Sequence, residues 1–373
     1  MIPNRALSLF ARVFSRQSFK SSQADKRALV SYVETLPFWH ERYFKYAHNS
    51  KLSSYLFCSI LNSLGYSVDL RRYDDLDVRM DRTYDFFLGH TNTFIEIKNK
   101  IALKGKAVLL VTGSSPEFGN EAQHIRAEEL FRRSGIQLPE HTANIVPSAS
   151  ETHAAADHVL MLGNDFVLST WYSEFLYKYT LRNNVSAYTL DFGAERPSNY
   201  LFLSSTGQVH RGLDVLLEVF AERSDHLHIC SSVLNEPDFV KAYKRELFDR
   251  PNIHTHGFVD TSSQRFSNIL SDCKFVILPT CSEGQSSSVI NAMFCGLLPI
   301  VTPNAGLPDV SSCGFLIDEI SPKAVCALVD RASSMSEKEY LCKRNALQDY
   351  VRQFTVEQFK EAIEKYFSET VGL

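Results

Sequence analysis

Strand-length apolar runs alternate with helix-period segments along nearly the whole chain, and this rhythm restricts the fold more than any other feature. In the first half ALVSYV (28–33), YSVDLRRY (66–73), YDFFLGH (84–90), AVLLVTG (107–113), DHVLMLG (157–163) and VSAYTL (185–190) read as strands. SSYLFCSILNSLG and EAQHIRAEELFRRSG lie between them as helices. After residue 200 the rhythm repeats. YLFLSS (200–205), HLHICS (226–231), IHTHGFV (253–259), FVILP (275–279) and LLPIVTP (297–303) are strands. LDVLLEVFAERS, FVKAYKRELF, SQRFSNILSD and SSVINAMF are the helices between them. Strands this continuously apolar have both faces buried, as in parallel sheets covered by helices.

The composition changes at DFGAERPSNY (191–200), a polar stretch with Gly and Pro between the two series. With 373 residues and 44% hydrophobic content, two domains are expected. The sequence therefore predicts an α/β chain of two tandem Rossmann-like domains facing a cleft, over residues 28–195 and 196–345. A basic segment (1–27) precedes them, and C-terminal helices (346–373) pack back. Open parallel sheets bind ligands beyond the carboxyl ends of their strands, so two facing halves place a site in the cleft between them.

A net charge of −4 argues against nucleic acid as a partner. Seven of the eight cysteines fall after residue 229, several inside apolar runs, with no C-x-x-C pair. That usage suits a reducing cytoplasm rather than a disulfide frame. No apolar run is long enough to span a bilayer. Residues 1–24 hold Arg5, Arg12, Arg16 and Lys20, and Leu7, Phe10 and Phe14 could share a helix face. Contact with an anionic membrane surface, a targeting segment and a plain basic tail all remain open for this stretch.

The most informative stretch is CSEGQSSSVINAMFCGLLPIV (281–301). An acid, Glu283, precedes Gly284, Gln285 and three serines at the start of a helix. Ser286 to Ser288 are helix-capping residue types, and open N–H groups at a helix start suit a phosphate. Glu283 would repel a phosphate, so its partners are expected to be hydroxyls. Phosphate beside polyol describes a nucleotide-sugar.

This stretch resembles the donor-binding signature E-G-x(6)-E-A-M-x-x-G-x-P-V-I of family-4-type retaining glycosyltransferases, which have the two-domain GT-B fold. SSTGQVHRGLDVLLEVF, NIHTHGFVD and NAGLPDVSSCGFLID are similar to further motifs of that family, in order. The resemblance covers about residues 200–320. It implies that Glu283 contacts sugar hydroxyls and that Gly284, Gln285, Ser286, Ser287 and Ser288 hold the diphosphate and sugar. Arg211 matches the lysine that neutralises the diphosphate, with Gly207 and His210 in the same loop. Gly257 and Phe258 match the turn beside the base. Two positions depart from the pattern: the ribose-binding acid falls on Asn291, and the usual second cation on Gln208.

The first half offers acceptor-side candidates at loops next to strands and helices: His48 and Asn49, then Thr112, Gly113, Glu117, His124 and Arg126. Three other patterns are discounted. Asp75 and Asp77 form D-x-D within a tandem α/β chain. Asp85, Glu96 and Lys98 have nuclease-core spacing, but 93–104 reads as a helix rather than a strand. His226, His228, His254 and His256 alternate on strands, which explains them without zinc.

The resemblance implies sugar transfer from a nucleotide-diphosphate sugar to a glycan or lipid-linked sugar acceptor, with retention and without a metal or other cofactor. Glu283 and Arg211 would be the principal catalytic residues. Surface polysaccharide assembly on the cytoplasmic side, peripheral to the membrane, is the expected setting. A sugar-nucleotide epimerase of the same fold, or a catalytically silent binding relative, are the alternatives.

Overall fold

The computed structural model describes residues 16–20, 25–34, 49–77, 82–90, 93–138, 145–146, 148, 150–171, 178–185 and 196–372. Each series of alternating strands and helices builds its own sheet. The first contains β1 (Arg16–Phe19), β2 (Lys26–Tyr32), α1 (Asn49–Ser63), β3 (Tyr66–Arg72), β4 (Thr83–His90), α2 (Thr93–Lys100) and β5 (Ala102–Val111). It continues with α3 (Pro116–Ser134), α4 (Ser150–Ala154), β6 (His158–Leu162), α5 (Asp165–Ser169) and β7 (Lys178–Leu181). The strand order is β1-β3-β2-β4-β5-β6-β7, parallel except for the antiparallel β1 edge.

The second half runs β8 (Tyr200–Leu203), α6 (Leu213–Phe220), β9 (Leu227–Cys230), α7 (Pro237–Ala242), α8 (Lys244–Phe248), β10 (Ile253–Gly257) and α9 (Gln264–Ser271). Next come β11 (Phe275–Leu278), α10 (Ser287–Phe294), β12 (Leu298–Val301) and β13 (Phe315–Leu316). Helices α11 (Pro322–Ser333), α12 (Glu337–Val351) and α13 (Val356–Lys365) complete the chain. The order β10-β9-β8-β11-β12-β13 is parallel throughout. Every residue of β8, β9, β11 and β12 is buried, as the continuous apolar runs require.

The structure departs from the sequence expectation at several elements. FVKAYKRELF is split at Tyr243, whose backbone (φ −112, ψ 27) is not helical, into α7 and α8. The expected strand 185–190 lies outside the described residues except for Val185, and the strand at that edge is β7. Phe315 and Leu316 pair with Ile300 and Val301 to add a short edge strand that two residues of sequence do not signal. Arg16–Phe19, expected within a separate basic segment, joins the first sheet: Arg16 pairs with Arg71, and the Ser18 hydroxyl donates to Asp69. Leu7, Phe10 and Phe14 lie outside the described residues. The segment 93–104, read as a helix, is helical over α2 and then turns into β5.

Two elements tie the halves together. Helix α13 and the π-helical turn after it (Tyr366–Val371) cross back to the first sheet, where Phe359, Ile363, Tyr366 and Phe367 join a cluster with Phe57, Leu61, Phe86 and Leu181. Helix α3 inserts Leu130 into the core of the second half. Its Arg126 and Arg133 each reach Asp214 of α6 at 2.7 Å, and Arg133 also meets Glu218 at 2.7 Å. Asp214 is 0% exposed and Arg126 2%. Such a charge is tolerable at that depth because it is paired.

Candidate functional site

Strands β8 and β11 are neighbours at the point where the second sheet's order reverses. The loops after them diverge there and leave a crevice beyond the strand ends. Gly212 makes the first loop compatible with the second: a Cβ there would lie 2.3 Å from the Pro279 carbonyl oxygen, and its φ is +76. The His210 carbonyl then accepts the Cys281 N–H at 2.9 Å. A cavity of about 380 Å³ opens between these loops and the first half, within the size range of small-molecule sites.

Arg211 and Glu283 line this cavity and form an ion pair with each other. The Arg211 Nε also donates to the Thr206 carbonyl at 3.1 Å, which fixes the guanidinium at the mouth. His210 does not line the cavity. It stands behind the acid, its Nε2 3.9 Å from Glu283 Oε1. Burial pushes its pKa down, so it is neutral at physiological pH and adds no cation.

Gly284, Gln285, Ser286, Ser287, Ser288 and Asn291 also line the cavity. The close approach at Gly284 is to the first half of the chain. A Cβ there would lie 2.5 Å from the Thr112 carbonyl oxygen and 3.1 Å from Gly113 Cα. From the other side, a Cβ on Gly306 would overlap the Gly284 carbonyl oxygen. The loop is thus held between two backbones. The Ser286 N–H is not open, as the sequence suggested, because it donates to the Ala305 carbonyl at 3.0 Å. Ser286 also makes no side-chain cap, whereas Ser115, Ser263, Ser321, Ser336 and Thr355 each accept an N–H of the helix they begin. The hydroxyl of Ser286 turns instead to that of Ser288, at 3.2 Å.

Opposite this polar end the cavity is apolar. Phe258, Val259, Phe266 and Leu270 line it, and the Phe258 ring is 77% exposed. Gly257 does not line the cavity; its positive φ (+70) turns the chain so that Phe258 does. Gly207 is likewise a turn residue (φ +83), its N–H held by the Glu236 carboxylate. Gln208 is 0% exposed and donates to Ser205 and Glu236. The residue at the family's second cation position therefore points away from the cavity.

The first half contributes Tyr32, Asn49, Ser50, Ser53, Thr112 and Leu162 to the lining. Thr112 Oγ1 is 3.0 Å from His90 Nε2. The Asn49 amide is used internally, donating to the Asn184 carbonyl at 2.6 Å. Gly113 accepts the Trp171 indole N–H. His124 is exposed on α3 and does not line the cavity. Glu117 accepts the Ser148 hydroxyl, and Arg126 is the buried bridge to Asp214. These three are corrections: the loop carries α3 towards α6, not towards the cavity. His48 lies outside the described residues.

Sequence reasoning missed Asn183, which lines the cavity and bonds to Gln285 and Ser287. The discounted patterns are local structure. The Asp77 N–H donates to Asp75, Glu96 and Lys98 sit on α2, and the four histidines, His226 just before β9, stack on one another between β9 and β10. Among the described residues no group of three or more His, Cys, Asp or Glu is arranged to hold a metal ion.

Residues 197–334, which contain both loops of the crevice, match the family model described as glycosyl transferases group 1. The chain is a GT-B-fold protein resembling the group 1 glycosyltransferases. No curated protein matches it in sequence. Sucrose-phosphate synthase from Thermosynechococcus elongatus has a similar fold: TM-score 0.61, 12% identity, covering 92% of this chain and 98% of that one. Anabaena HepE in complex with UDP-glucose gives 0.59 at 12% identity, covering 92% and 99%. TarM gives 0.51 at 15% identity, covering 79% of this chain. This chain spans 57% of TarM and 54% of the chain in a complex of an S. aureus TarM mutant with UDP. At these identities the likeness is one of fold. No helix among the described residues is long and apolar enough to cross a membrane.

Proposed function

We propose that this GT-B-fold chain transfers a sugar from a nucleotide-diphosphate donor, bound in the crevice between β8 and β11, to an acceptor presented by the first half. The observation that carries the reading is the placement of Arg211, Glu283 and the start of α10 around one cavity whose far wall is apolar. The division of labour follows from chemistry. Phe258, Val259, Phe266 and Leu270 suit a flat nucleobase, with Phe258 able to stack on it. Asn291, which lines the cavity and whose side chain makes no hydrogen bond to the described residues, suits the ribose hydroxyls. Arg211 suits the diphosphate, where a guanidinium can bind two oxygens at once. Glu283 suits the sugar hydroxyls.

Charge then matters most at departure. As the glycosidic bond breaks, negative charge grows on the leaving diphosphate, and a fixed Arg211 and helix start stabilise it without reorganising. Among the described residues, Glu283 is the one carboxylate in the lining, and Arg211 already engages it. A front-face route with retention, in which the leaving phosphate takes the acceptor's proton, needs no other acid. HepE forms a complex with UDP-glucose, and a uridine diphosphate sugar is the first donor to test. A glycan or lipid-linked acceptor in surface polysaccharide assembly is the setting proposed.

The test is incubation with a panel of nucleotide-sugars, with and without glycan acceptors, followed by separation of products. Free nucleoside diphosphate with a new glycoside supports transfer. An epimerised nucleotide-sugar, or no turnover of any bound donor, would replace this reading by an epimerase or a silent binding protein.

A further inference from the structure

We infer that Asn183 is a positioning residue that fixes Gln285 and Ser287 of the donor loop as hydrogen-bond donors, and so favours an anionic diphosphate there. The inference rests on the donor site proposed above. Asn183 follows β7 at the carboxyl end of the first sheet and reaches across to Gln285 and Ser287. Its backbone N–H donates to Gln285 Oε1 at 2.8 Å. Its side-chain NH₂ donates to the Gln285 carbonyl at 2.9 Å and to Ser287 Oγ at 2.7 Å. Its Oδ1 accepts the Asn184 N–H at 2.9 Å.

These partners leave no freedom in orientation. A backbone N–H can only donate and a backbone carbonyl can only accept. Asn183 must therefore face Gln285 with its NH₂ and Asn184 with its oxygen. Gln285 must likewise turn its oxygen to the Asn183 N–H, which directs its own NH₂ away. That Nε2 has no partner among the described residues, although Gln285 is only 5% exposed and lines the cavity. A buried amide donor without a partner is costly unless a ligand satisfies it. Ser287 has a single proton, and its oxygen accepts from Asn183, so its O–H is available to the cavity it lines. Ser287 thus has its only proton free for the cavity, and Gln285 cannot turn its oxygen there without losing its bond to Asn183. Phosphate oxygens only accept, so they match this surface.

Asn184 anchors the device in the first half. It is 0% exposed, its NH₂ donates to Ser53 Oγ at 2.8 Å, and its carbonyl accepts from Asn49 at 2.6 Å. The start of α1 and the donor loop are joined through two consecutive asparagines.

The experiment is calorimetry of uridine diphosphate and of uridine, which lacks both phosphates, with wild type and Asn183→Ala. The expected result is a loss of about tenfold to a hundredfold in affinity for the diphosphate. Affinity for uridine should change by less than about twofold, since Asn183 acts only at the phosphate end. Equal losses for both ligands would mean a merely structural role, and no loss for the diphosphate would mean no role; either overturns the inference. Should Asn183→Ala fail to fold, Gln285→Glu still accepts the Asn183 N–H but offers the ligand no donor, and carries the same expectation. If wild type binds no nucleoside diphosphate while folded, the donor-site reading fails as well. If wild type binds and Arg211→Ala does not, but the asparagine variant matches wild type, this inference alone fails.

Discussion

Glu283 and Arg211 stand out in the sequence as candidates because their neighbours form a pattern: an acid and glycine before a helix, a cation and glycine before another. Their mutual ion pair does not, because they are 72 positions apart and only the folded crevice joins them. The pair changes what a substitution does. Glu283→Gln leaves the Arg211 guanidinium without its carboxylate and removes the strongest acceptor for sugar hydroxyls. The protein should stay folded and lose about 10- to 100-fold in transfer rate, measured as product formed at saturating donor. An unchanged rate would exclude Glu283 from the reaction. Asn183 is the opposite case. Its partners lie 102 and 104 positions away, and an asparagine pair after a strand reads as an ordinary turn.

At the scale of elements, the buried strands were legible from their continuous apolar runs and the helices from their periodicity. The break between α7 and α8 and the short β13 were not, since each depends on one or two residues whose conformation is set by packing. The role of α3 was misjudged for the same reason: its sequence shows arginines but not the acids that meet them on α6. Asp214→Asn would leave the buried Arg126 with Glu129 as its remaining carboxylate, at 2.7 Å, and should cost about 2 to 3 kcal/mol in urea unfolding. A cost below about 1 kcal/mol would mean that the bridge contributes little. Gly284→Ala places a methyl 2.5 Å from a backbone oxygen that cannot swing aside. It should therefore open the crevice, lowering the melting temperature and donor affinity together, by about 1 to 3 kcal/mol of stability. Donor affinity equal to wild type would show that the loop tolerates the shift.

For the whole molecule, two sheets whose strand ends face each other follow from the sequence rhythm, while the strand order that places the crevice between β8 and β11 comes from the fold. Packing behind the cavity wall also desolvates a titratable group. Burial holds His90 at a pKa of about 4, next to Thr112 at the cavity wall. Between pH 6.5 and 4 the unfolded chain takes up a proton at this position and the folded chain does not, so acidification destabilises the fold. Below pH 4 the loss is complete. His90→Gln removes this contribution: the stability difference between wild type and variant should shift by about 3 kcal/mol against wild type from pH 7 to pH 4. Parallel pH profiles would contradict the burial of a neutral imidazole.

On the function proposed above, the crevice beside Arg211 receives the diphosphate of a sugar donor. Calorimetric titration of the folded wild type and the folded Arg211→Ala variant with a nucleoside diphosphate tests it most directly. The guanidinium lies at the cavity mouth, and the neutral His210 behind it cannot substitute for its charge. Wild type should bind one ligand per chain, and the variant about 30-fold or more weaker, the loss of a charged partner to a buried phosphate. No binding by wild type, or a variant affinity within about threefold of it, would contradict the account.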